Sequence, residues 1–151
     1  MSSEVLIAYV HFASVIALGA LLCCELLLLW SEVGAREGQR LALIDLGYLV
    51  AAVLVLVSGL LRLNWFGKSA AFYLHNPVFW IKLALFVAIG LISIPPTMRF
   101  LRWRRAALST GISPPAEEVA FARRYVVAEL VLLAFIPLAA VLAARGIGIQ
   151  S

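Results

Sequence analysis

The chain alternates long apolar runs with short polar segments. Four runs stand out, at 5–30, 41–61, 78–97 and 125–144. Each is near or above the ~20 residues that a tilted helix needs to cross the bilayer hydrocarbon. Leu, Ala and Val dominate these runs, and membrane helices tolerate their single glycines. No segment alternates apolar and polar residues, so a membrane barrel is not supported. The pattern predicts an all-α protein, a four-transmembrane-helix bundle forming one membrane domain over residues 1–151. Pro95-Pro96 is expected to end the third helix, with a cytoplasmic loop over about residues 98–124. Ser113 to Glu118 reads as a turn into a new helix, so the fourth helix is expected to start before the membrane. No internal repeat is visible.

Composition agrees. Of 151 residues, 64% are hydrophobic and 13% charged. A soluble fold of this size could not hide so much apolar surface, and such a chain is not disordered. The net charge of +4 would suit nucleic acid. In a membrane chain, however, basic residues collect in cytoplasmic loops, so the partner expected is the lipid bilayer and not nucleic acid. Cys23 and Cys24 are adjacent, which excludes a disulfide scaffold. On a helix they point about 100° apart, so they read as two small core residues rather than metal ligands. The N-terminus has no basic stretch and no small-residue cleavage site, so the first helix is expected to remain in the mature protein.

The basic residues set an orientation. Arg36, Arg40, Arg99, Arg102, Arg104, Arg105, Arg123 and Arg124 lie on one side, against Arg62, Lys68 and Arg145 on the other. The positive-inside rule then places both termini in the periplasm of a bacterial inner membrane. Arg99 to Arg105 also suits anionic lipid.

Ionisable groups inside a membrane are costly and are functional candidates by default. The orientation sorts them into two layers. His11 lies six residues past Val5, about 9 Å down its helix. Lys82 lies five residues past Pro77, about 7–8 Å along its own. The two helices start on the same side, so the pair is expected at matched depth, with Arg62 nearby. His11 reads either as a ligand or as a histidine bonded to a backbone carbonyl. Lys82 reads either as a functional group or as a lysine snorkelling to the interface. His75, just before Asn76-Pro77, reads as a second ligand or as part of a turn capping the third helix. Glu25, Asp45 and Glu129 form the inner layer. They are expected to pair with Arg40, Arg123 or Arg124, or to form a proton path. Glu129→Gln is expected to be milder than Glu129→Leu, since the amide keeps hydrogen-bonding capacity.

No phosphate loop, dinucleotide fingerprint or metalloprotease helix is present. A bundle with an inward imidazole does suit haem. Burial would help Lys82 shed its proton to act as a ligand, and Arg62 and Lys68 would face the propionates.

Much of the chain resembles an uncharacterised bacterial family of four-helix predicted membrane proteins, a domain of unknown function. The carrying stretches are Asp45-Leu-Gly-Tyr48, Ser58-Gly-Leu-Leu-Arg62, Ala71 to Pro77, Lys82 to Phe86, Ser93 to Thr97 with Arg99 to Trp103, and Ala128-Glu-Leu130. More distantly, the layout resembles the HemJ type of protoporphyrinogen oxidase. That resemblance implies a haem-associated His11 and Lys82. It departs at Trp80, where that family has a histidine, and at Ala128, where it has an asparagine.

The leading expectation is a haem-b-binding redox protein of the inner membrane, with a porphyrinogen or quinol as substrate. His11 and Lys82 would be the metal ligands and Arg62 a further cofactor contact. Its rivals are a non-catalytic bundle held by buried ion pairs, and a small ion or proton transporter acting as a homo-oligomer.

Overall fold

The computed structural model describes residues 3–65 and 77–144. These form four helices: α1 (Ser3–Trp30), α2 (Ala35–Trp65), α3 (Pro77–Thr110) and α4 (Ala116–Ala144). The fold is all-α, and α1, α2 and α3 are long and apolar enough to cross a membrane. The protein is a multi-pass membrane protein. Within its described part, α4 carries Arg123, Arg124 and Glu129, and its apolar run continues to its end.

Each helix packs on its neighbours in chain order, and α4 closes back on α1. The diagonal pairs α1/α3 and α2/α4 do not pack directly. The bundle is therefore a four-sided ring around a central axis, as expected for antiparallel helices joined by short connections. The core is narrow. Leu22, Leu29, Leu41 and Phe100 are fully buried, while Ile16, Leu27 and Leu91 point outward. Outward apolar side chains are what a bilayer solvates.

The helices run further than the apolar runs. The α1–α2 connection is only residues 31–34. The Glu37 carboxylate accepts from the Gly34 backbone N–H at 3.1 Å, capping the start of α2. Pro95-Pro96 does not end α3, which continues through both prolines to Thr110. Two N–H donors are lost there, so the Leu91 and Ile92 carbonyls lack their helical partners. Beyond the prolines, good helix formers such as Leu, Arg and Ala carry the helix on. Gly111, at φ 68°, ends it in the left-handed conformation that glycine adopts without strain. The stretch expected as a loop over 98–124 is thus mostly two helical extensions with a turn at 111–115 between them. Helix α4 does begin ahead of its apolar run, with Glu117 and Glu118 in its first turn.

Candidate functional site

Two polar regions lie inside the bundle. The first is near the end where α1 and α3 begin. The His11 ring packs against α2 at Gly59, where a Cβ would sit in ordinary contact at 3.4 Å from His11 Cε1. The imidazole lies against α2, with its Nδ1 3.0 Å from Ser58 Oγ. Ser58 has one hydroxyl proton, and it goes to the Leu54 carbonyl at 2.5 Å. Ser58 Oγ must then accept, so His11 Nδ1 carries the proton and Nε2 keeps its lone pair. Ser58 is buried. The Arg62 guanidinium lies 5.2 Å from the Phe12 ring centroid, a cation–π contact at the same end.

Lys82 of α3 lines the same cavity as His11. It is a cavity of about 240 Å³, whose walls come from all four helices. Apart from these two side chains the described walls are apolar, with Phe79 and Phe86 from α3 and Leu133 and Ile136 from α4. The sequence placed the two residues on helices that start together, and the four-sided ring sets those helices diagonally across the axis. His75 and Lys68 lie outside the described residues.

The second region is the carboxyl layer of Glu25, Asp45 and Glu129, from α1, α2 and α4. All three are buried, at 2%, 6% and 1% exposure. Glu25 lies within electrostatic reach of both others. Asp45 Oδ1 accepts from the Thr97 hydroxyl at 2.9 Å. Thr97 follows directly on the proline pair of α3. The Tyr48 hydroxyl is turned toward Glu129 and Ser93. Even so, neither Glu129 oxygen has a partner in hydrogen-bonding geometry, and Glu25 Oε1 has none either.

Of the arginines expected to neutralise this layer, Arg40 and Arg124 are exposed on the outside of the bundle, and Arg123 is engaged elsewhere. Arg123 lies over the Trp30 ring at 4.4 Å, and Arg99 over the Phe121 ring at 3.7 Å. Among the described residues the one ion pair is Arg102–Glu118 at 2.8 Å, on the surface. Glu118 also accepts from the Trp103 indole N–H at 2.8 Å, which ties α3 to α4. That bond holds the Glu118 carboxyl below the usual carboxylate range; burial opposes it, and the Arg102 guanidinium adds to the lowering. Cys23 and Cys24 are exposed free thiols rather than core residues. They sit on the outward side of α1, because Leu22 and Glu25 take the inward positions.

Ser58, Tyr48 and Thr97 lie in the stretches that carry the family resemblance, but no site role was legible for them in the sequence. A small hydroxyl beside a glycine, and a hydroxyl just after two prolines, were the available signals. Among the described residues no group of three or more His, Cys, Asp or Glu side chains is placed to hold a metal ion.

No curated protein and no solved structure matches the chain. A family model described as "Predicted membrane protein (DUF2214)" matches residues 3–148, nearly the whole chain, and the protein belongs to that family.

Proposed function

We propose that the protein is a small proton-handling transporter of the bacterial inner membrane. It would exchange protons within the layer of Glu25, Asp45 and Glu129 and act as an oligomer. One observation carries this reading: three acidic side chains from three helices are buried with no basic partner among the described residues. An unpaired buried carboxylate costs several kcal/mol, so such groups neutralise by taking up protons. Acidic groups inside membrane helices commonly mark proton relays for that reason. A purely structural role through ion pairs has no support from the arginine positions. The excess of arginine at the far end of α3 and the start of α4 supports a cytoplasmic location for that end, with both termini periplasmic.

The test is reconstitution into liposomes loaded with a pH-sensitive dye, under a potassium diffusion potential. Proton flux above that of empty vesicles is expected, and it should be lost in Glu25→Gln and in Glu129→Gln. A wild type that moves no protons, or variants that move them equally well, would sink the proposal. A reporter fused at Ser151 tests the orientation separately.

A second reading is the haem-b redox protein. It is supported by His11 and Lys82 lining one cavity, and His11 Nε2 is the nitrogen that the hydrogen bond at Nδ1 leaves for a metal. The donors suit iron, but the space does not. About 240 Å³ falls below the ~300–1,000 Å³ of ordinary small-molecule sites. A porphyrin joins four pyrrole rings and would have to part the helices. A Soret band in the purified protein would restore this reading, and its absence would remove it.

A further inference from the structure

We propose that the cavity between His11 and Lys82 binds the head group of a membrane-borne quinol. The inference stands apart from the carboxyl layer and does not rest on it. Its first support is hydrogen-bond complementarity. Ser58 fixes His11 as the Nδ1–H tautomer, so the nitrogen left over, Nε2, accepts and does not donate. Lys82, on the facing helix, has only donors. A ligand satisfying both must donate at one end and accept at the other, across an apolar body. A quinol does this: one hydroxyl donates to Nε2 and the other oxygen accepts from Lys82 Nζ. A fatty-acid carboxylate only accepts and would leave Nε2 unpaired. An acyl chain does neither.

Size and access point the same way. About 240 Å³ suits a single ring rather than a fused macrocycle. Phe79 and Phe86 supply aromatic faces for such a ring. Leu56 and Leu60 line the cavity, yet they are 42% and 50% exposed on the bundle's outer surface. The wall at α2 is therefore also a lipid-facing surface, and a ligand dissolved in the bilayer reaches the cavity from the side.

The chain has two histidines, His11 and His75, so ¹⁵N-histidine labelling gives two imidazoles to follow. Labelled protein in lipid nanodiscs would be titrated with a short-chain para-benzoquinol, then with its quinone, then with laurate. His75→Gln assigns the signals. The expected result is a saturable shift of the His11 Nε2 resonance with the quinol. The quinone, lacking a donor, should bind about tenfold more weakly. Lys82→Met should weaken quinol binding by about the same factor. Leu83→Trp should fill the cavity and abolish the shift while the melting temperature stays near that of the wild type. Should that variant not fold, the quinol–quinone comparison on the wild type decides alone. Equal affinity for quinol and quinone, an equal response to laurate, a shift that survives Leu83→Trp, or haem already seated between the two residues would each overturn the proposal.

Discussion

The His11 region and the carboxyl layer share one apolar bundle, about 21 Å apart along α1 at 1.5 Å per residue. They solve the same problem in opposite ways. His11 is only half-buried, yet its Nδ1 is partnered and its ring packs against α2. Glu25 and Glu129 are almost wholly buried, yet oxygens of both lack partners. A carboxyl group in an apolar interior can shed its charge by taking a proton. An imidazole meant to present one particular nitrogen must instead be held by hydrogen bonds. The open region thus sets a partnered imidazole beside a cavity, and the sealed layer holds acids whose oxygens lack partners.

The comparison breaks first on packing. Leu22 is fully buried beside the sealed layer, whereas Leu83 borders the cavity and is half-buried. Leu22→Ala should cost about 2–5 kcal/mol, because the cavity it leaves cannot collapse fully. Leu83→Ala only enlarges space that already exists and should cost clearly less. Thermal unfolding in one detergent measures both. Equal losses would mean that the two halves are packed alike.

Within the sealed layer the sign should change from one acid to the next. Glu129 has no hydrogen-bond partner to lose, so Glu129→Leu should hold stability or raise it by about 1–3 kcal/mol. Glu129→Gln leaves a buried amide unsatisfied and should be the less stable of the two. This reverses the order that the sequence suggested, because that order assumed a partner for Glu129. Asp45→Leu strands the Thr97 hydroxyl and should cost about 1 kcal/mol. Loss of stability in Glu129→Leu would show that the Tyr48 hydroxyl bonds to it after all.

In the open region, Ser58→Ala removes the acceptor that fixes the His11 tautomer. The loss should be about 1 kcal/mol. The more telling readout is the imidazole ¹⁵N spectrum, which should move from one tautomer to a mixture. An unchanged spectrum would place the control of His11 with the Val55 carbonyl, which also lies beside the ring.

The fold was legible because apolar runs of membrane length leave few alternatives. That His11 and Lys82 line one cavity was legible because helix starts and rise per residue set depth directly. Which groups partner the acids was not. Arg123 and Arg124 are close to Glu129 in sequence, but a helix turns about 100° per residue and aims them elsewhere. Cys23 and Cys24 were misplaced for the same reason: an all-apolar helix gives no amphipathic signal for which face turns inward. Pro95-Pro96 misled because a helix supported by neighbours on two sides survives lost donors that would end an isolated one.

The smallest effect lies outside both regions, where Glu118 ties α3 to α4, and it serves as their control. Its carboxyl is held below the usual carboxylate range, chiefly by the Trp103 indole N–H and then by Arg102. A carboxyl with a depressed folded pKa adds stability above its unfolded value, about 4.3 for Glu. That contribution is present at neutral pH and is lost as the pH falls through the folded value. Melting temperature should therefore drop below about pH 4, and Glu118→Gln should flatten that drop. The partners sit at the surface, Arg102 with a side chain 61% exposed, so the ion pair itself is worth only about 0–1 kcal/mol. Trp103→Phe should consequently flatten the acid limb more than Arg102→Gln does, although it also lowers the whole curve by removing a buried donor. The reverse order would mean that the guanidinium, not the indole, sets the charge of Glu118, and that surface charge rather than an interhelical hydrogen bond joins the ends of α3 and α4.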